Sequence, residues 1–328
     1  MQVYSVNSVH VLFLYSKNKL KEIGKILLYL LAVVVIGALI APPLYWLGQV
    51  TLRFGAGHGL VAFHRENGHD VAMGHLAFLG QKFRRYFDRA ILVAACLLLW
   101  PLARSLKIRV WNDLGLQRDK NGWRHFLNGL LISVASMVVL GVVAVGFGHY
   151  EMVPGIPWGR IAFLPVSALV VALIEESLFR GALQGVVRRS SSEAAAIIFV
   201  SAIYAVVHFL KPPETVQMRI TWSSGFSQAL LACGQFAEWR LVIGGFATLF
   251  LVGTVLGYAR MRTRSLWMPV GLHTGWIIAK MGFNQIAHSH GEGWPWFGAD
   301  ILTGLAPVLA VLAAGILIWW KKQKTGND

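Results

Sequence analysis

Long apolar runs separated by short basic clusters set the pattern of this chain. Eight of them predict helices, at about residues 26–50, 86–103, 126–149, 161–187, 193–211, 241–259, 266–283 and 299–320. Crossing about 30 Å of hydrocarbon takes roughly 20 residues at 1.5 Å rise each, and several of the runs are that long. The expected fold is therefore all-α, a polytopic transmembrane helix bundle of about eight spans. Pro42 and Pro43 should kink or end the first helix early, and the second run is short for a full span. No internal repeat, low-complexity tract or soluble linker interrupts the pattern, so the chain reads as one integral membrane domain. Within it, residues 1–160 hold spans and loops without a motif, 161–283 hold the intramembrane polar residues, and 284–328 hold a last span and a basic tail.

Composition agrees with lipid as the main solvent: 56% of the 328 residues are hydrophobic and only 14% charged. A net charge of +15 could suit a nucleic-acid binder, but the Lys and Arg residues lie in clusters between apolar runs, not along one soluble face. They fit topology and anionic lipid better. The expected partners are membrane lipid and a peptide or membrane-protein substrate, with no nucleic acid. In an eight-span arrangement the clusters at Lys17–Lys25, Arg104–Arg124, Arg188 with Arg189, Arg260–Arg264 and Lys321–Lys324 share one side. That side is expected to be the cytoplasm, with both termini in it and the chain in a bacterial inner (plasma) membrane. The opposite side would hold the loops near Glu151 and between Asn284 and Asp300. Residues 51–85 break the rule with Arg53, Arg65, Lys82, Arg84 and Arg85. Their four histidines, His58, His64, His69 and His75, follow no zinc spacing and are read as part of a solvated or interfacial loop. The N-terminal lysines give the polarity of a signal peptide, but the apolar run is too long for one and lacks a cleavage site, so it is expected to stay as the first helix. Cys96 and Cys233 suggest neither a disulfide framework nor a metal site.

The fourth run places Glu175, Glu176 and Arg180 in apolar sequence. Each charge in hydrocarbon costs about 2.5–3.5 kcal/mol by insertion scales, so partners are required. Glu176 and Arg180 stand at i and i+4 and can pair on one helix face. Glu175, about 100° around the helix, is left to face another neighbour, and an isolated carboxylate in a low dielectric suits general acid–base work near neutral pH. In the fifth run Tyr204 and His208 are again four apart. The seventh holds His273 between Gly271 and Gly275, which permit close helix approach. Alone, the Glu–Arg pair could be a packing bridge and each His a simple interhelical hydrogen bond. Three motif-bearing helices together mark a function, and buried Glu and His residues can also form the proton relay of a proton-coupled transporter.

The order Glu-Glu-x-x-x-Arg, aromatic-x-x-x-His, then a later His after Gly-Leu resembles the CPBP family, which contains the type II CAAX prenyl endopeptidases and bacteriocin-processing proteins. The likeness covers about residues 161–283. It implies an intramembrane endopeptidase in which Glu175 and His208 activate a water, His273 helps stabilise the oxyanion, and Glu176 and Arg180 support the site. Tyr204 stands where the family usually has phenylalanine. Ile277 stands where it commonly has an asparagine that is a second oxyanion donor, and losing one such donor costs about 10²–10³ in rate. Asn284, Thr274 or Trp276 would have to substitute, or the chain is slow, altered, or an inactive binding or immunity protein of the same fold. The family has also been described as metalloproteases. Glu175, His208 and His273 are the residue types that would hold a zinc ion, although the metal-free glutamate mechanism, with no cofactor, is the expectation here.

Overall fold

The computed structural model describes residues 6–59, 61–66, 69–74, 82–106, 119–156, 158–189, 191–209, 219–291, 293–298 and 300–325, with side chains described from residue 21 to residue 320 outside 61–66, 69–74 and 160. Two compact units divide the chain: Met1–Leu102 with Leu210–Gln235, and Ala103–Phe209 with Phe236–Asp328.

In the first unit, α1 (Val6–Gly57) is followed by the hairpin of β1 (Val61–Glu66) and β2 (His69–Gly74), then by α2 (Phe83–Ser105) and α6 (Ser224–Cys233). The first helix does not stop at Pro42 and Pro43 but runs on through both. Neighbouring helices and local adjustment commonly re-satisfy the carbonyls a proline frees in apolar helices. Small residues make the contacts: a methyl group added at Gly225 of α6 would meet the Ala38 carbonyl of α1, and one at Gly37 would meet Ile91 of α2. The Tyr29 hydroxyl donates to the Ala95 carbonyl at 2.9 Å. The stretch expected as a loop thus contains the end of α1 and an antiparallel hairpin, paired His64 to Val71 and Glu66 to His69. His58 reaches back to the Phe54 carbonyl at 2.9 Å. His75, Lys211 and most of the basic segment between Arg104 and Arg124 lie outside the described residues.

The second unit contains α3 (Gly122–Gly146), a composite helix α4 over 164–188, α5 (Glu193–Phe209), α7 (Trp239–Thr263), α8 (Trp267–Ile286) and α9 (Leu305–Thr325). All eight predicted runs are helical over most of their length. The ninth, α6, went unread because its Ser, Gly and Gln residues dilute the apolar pattern over only ten positions. Among the described residues, four helices are long and apolar enough to cross a membrane: Lys21–Gly57, Phe83–Ser105, Gly122–Gly146 and Trp239–Thr263. The second of these, expected to be short, has 23 residues.

Helix α3 shows how the unit solves its packing. Gly129, Ser133, Met137, Gly141 and Ala144 form the buried stripe, while Leu131, Val138, Val139 and Val142 are exposed on other faces. Small groups inside and large apolar ones outside suit lipid, where close backbone packing replaces the hydrophobic drive between helices. Against this stripe lies α8, buried at every position from Met268 to Trp276. Added methyl groups at Gly271 and Gly275 would run into the Phe126 and Leu130 carbonyls, and one at Gly129 would crowd the backbone of α8. On the other flank, Ala172 and Leu173 of α4 pack against Leu266 and Val270. The strands β3 (Tyr150–Met152) and β4 (Ala287–Ser289) pair antiparallel where α3 and α8 end. This joins the two loops that sequence placed on one side.

Two outcomes follow from this packing. Gly271→Ala forces Phe126 backbone to move, and overpacking of this kind costs about 1–3 kcal/mol, so the variant should melt earlier in a thermal-shift assay in detergent. Near the start of α3, burial raises the Asp119 carboxyl, but hydrogen bonds from the Asn121 amide and the His125 ring, at 2.8 and 2.9 Å, outweigh it. Its affinity for a proton is therefore lower folded than unfolded. That contribution is complete above the usual carboxylate range near about 3.9 and is lost as pH falls through the lower folded value. Asp119→Asn should be less stable than wild type at pH 7, and the gap should close on acidification.

Candidate active site

Three helices of the second unit bring together the polar residues that sequence singled out. Helix α4 delivers Glu175 and Glu176 at the end of its regular part, Leu164–Glu176, and then widens into a π-helical stretch, Ser177–Leu183, that carries Arg180. Such widened turns recur at functional sites. Helix α5 presents Tyr204 and His208 near its C-terminal end, and α8 presents His273 from its fully buried half.

The two adjacent glutamates face different partners, as the 100° step between them requires. Glu176 is fully buried, and a single oxygen, Oε1, accepts from Arg180 Nη1 at 3.0 Å and lies 2.7 Å from His273 Nδ1. The expected Glu176–Arg180 pair is present, and His273 joins it as a third member. Glu175 turns instead to His208: its Oε2 lies 2.8 Å from His208 Nε2 and 3.7 Å from His273 Nε2. His208 lies near the C-terminal end of α5, and the helix ends bring it and Glu175 into direct contact.

Proton bookkeeping follows from these partners. His208 Nδ1 lies 2.9 Å from the Tyr204 carbonyl, which can only accept, so Nδ1 carries a hydrogen. A close approach of its Nε2 to a carboxylate oxygen then requires one further proton, shared between Glu175 and His208. In the same way Nδ1–H of His273 points at Glu176, which leaves Nε2 facing Glu175 and the Tyr204 hydroxyl, 3.5 Å away. Access is graded: the Glu175 and His208 side chains are 20% and 16% exposed, His273 6%, and Glu176 and Arg180 not at all. Chemistry that needs water or substrate can enter at Glu175 and His208, while the charges behind them stay dry.

Tyr204 lies in the middle of this cluster. Its ring stacks on His208 at 3.9 Å between centroids, Phe179 meets it edge-on at 5.3 Å, and the Arg180 guanidinium sits 4.4 Å from its centre.

Arg180 also donates from Nη2 to the Gly253 carbonyl of α7 at 3.2 Å, and Gln184, one turn on, donates to the Gly257 carbonyl at 3.2 Å. Added methyl groups at Gly253 and Gly257 would crowd Ser201 and Gln184. Sequence reading passed over Gln184 and this glycine pair. Their signal was the shared four-residue spacing, Arg180 to Gln184 on one helix and Gly253 to Gly257 on another.

Of the three donors considered in place of an amide at 277, Trp276 Nε1 donates to Ser136 at 3.2 Å. Asn284 is exposed and eleven residues beyond His273, about 16 Å along the helix. Thr274 is buried with its hydroxyl unpartnered among the described residues.

The donor atoms of Glu175, His208 and His273 lie within 4.8 Å of one another. A Glu and two His are also a familiar zinc set. The Glu175–His208 and Glu175–His273 separations of 2.8 and 3.7 Å bracket the roughly 3.4 Å expected between ligands on one tetrahedral ion at about 2.1 Å. The three residues fit such an ion.

No curated protein matches the chain. All the polar residues of the cluster fall in one segment, residues 157–279, and that segment matches the family model described as Type II CAAX prenyl endopeptidase Rce1-like. By that segment and its long apolar helices, the chain is an integral membrane protein similar to the Rce1-like CAAX proteases.

Proposed function

We propose that the chain is an intramembrane endopeptidase in which Glu175, assisted by His208, activates a water molecule for attack on a peptide carbonyl. The observation that carries this reading is the 2.8 Å contact between Glu175 Oε2 and His208 Nε2 at the partly exposed end of an otherwise buried cluster. A carboxylate and an imidazole sharing one proton can take a proton from water as the new C–O bond forms. They then return it to the leaving amine as the C–N bond breaks. His273 faces the carbonyl oxygen, where negative charge develops, and Glu176 with Arg180 holds the His273 ring in orientation. The substrate is a peptide or membrane protein presented at membrane depth. The family match makes a C-terminal CAAX segment the first class to try, prenylated and unprenylated.

A second reading rests on the same three donor atoms. Glu175, His208 and His273 would hold a zinc ion, which when bound polarises the carbonyl and acidifies its water. Glu176 would then keep His273 turned toward the ion through Nδ1.

Glu175→Ala and His208→Ala should each abolish cleavage, by 10³-fold or more, at undiminished membrane levels. The check is a fluorogenic CAAX peptide, with and without a prenyl group, in liposomes, together with a search for membrane peptides that stay uncut in cells carrying Glu175→Ala. Cleavage at wild-type rate in either variant rules the mechanism out. Elemental analysis separates the two readings: a zinc enzyme should carry one ion per chain, lose it in His208→Ala and lose activity to a chelator. Full activity at negligible metal content leaves the glutamate mechanism.

A further inference from the structure

Resting on the protease reading above, we propose that the Tyr204 hydroxyl is a catalytic oxyanion donor, the group that replaces an amide at position 277. Position 277 is Ile, one turn beyond His273 and partly buried, and it offers no donor. Among the described residues the cluster has one phenol, that of Tyr204, whose side chain is buried and whose oxygen lies 3.5 Å from His273 Nε2. Two donors at that separation can both reach an oxygen about 2.8 Å from each.

His273 cannot do this alone in every state. With Nδ1 committed to Glu176 at 2.7 Å, its Nε2 donates only when the ring is an imidazolium; in the neutral ring Nε2 is an acceptor. A tyrosine hydroxyl has a rotatable hydrogen and donates in both cases. Toward a neutral His273 it hydrogen-bonds at rest and turns to the substrate oxygen as charge builds. The ring itself is fixed by His208 stacked on it, Phe179 against it and the Arg180 cation 4.4 Å from its centre. The donor is therefore preorganised, which gives an oxyanion contact its value. A phenylalanine could make the same ring contacts, so packing leaves the hydroxyl unexplained.

The test is Tyr204→Phe, assayed on a peptide that wild type cleaves and Glu175→Ala does not. Removing one donor should lower kcat about 10²–10³-fold with KM within about twofold. Adding Ile277→Asn to Tyr204→Phe should restore at least tenfold, which a merely structural loss would not allow. Glu175-dependent cleavage that is undiminished in Tyr204→Phe overturns the proposal and leaves the protease reading standing. Absence of any Glu175-dependent cleavage overturns both. Should Tyr204→Phe fail to accumulate in membranes, 3-fluorotyrosine at 204 keeps the shape and makes the phenol more acidic. Its altered donor strength should then change kcat with KM within about twofold, and an unmoved kcat overturns the proposal.

Discussion

The Glu176 carboxylate is the constraint around which the site is arranged. It has no exposure, and one of its oxygens serves both Arg180 and His273. A buried ion pair contributes little net stability, because desolvation offsets the attraction, yet removing one partner leaves a charge stranded and costs several kcal/mol. Such a pair therefore fixes geometry more than it adds stability. Here it determines which nitrogen of His273 holds a hydrogen. It also determines where the Arg180 cation lies, and so where the Tyr204 ring lies. Arg180 and Gln184 in turn dock on the carbonyls of Gly253 and Gly257, so the position of α7 is tied to the same carboxylate.

Two glutamates next to each other in sequence thus have opposite surroundings. Glu176 is enclosed and partnered by Arg180 and His273. Glu175 sits at the edge of solvent with a histidine that can hold or release a proton at nearly the same position. The helix makes this separation unavoidable, since consecutive residues diverge by 100°. Two neighbouring residues of one type can therefore meet a dry setting and a partly exposed one.

Much of this was legible in the sequence because the membrane makes polar residues conspicuous. Glu175, Glu176, Arg180, His208 and His273 stand out from apolar runs, and the i, i+4 spacing was enough to find the ion pair. Two features were not legible. That His273 would join Glu176 and not Glu175 depends on helix rotation, which a single chain of letters does not encode. Gln184 with Gly253 and Gly257 was hidden because its hydrogen bonds end on backbone carbonyls, which every residue has. In the fold, the helical runs were plain from their length, whereas α6 was too short and too polar to stand out. The passage of α1 through Pro42 and Pro43 depends on compensation by the surroundings, which sequence rules for isolated helices omit.

The length of α1 carries a consequence of its own. From Lys21 to Gly57 it has 37 residues, about 55 Å of helix against a hydrocarbon layer near 30 Å. Tilting to the roughly 40° limit of known spans shortens its projection only to about 42 Å. More than two turns must then lie beyond the hydrocarbon, and the ends that carry Lys21, Glu22 and Lys25 on one side and Arg53 on the other suit the headgroup layer. The uncharged run between Lys25 and Arg53 is about 40 Å long, so tilt alone can fit it to hydrocarbon layers of different thickness.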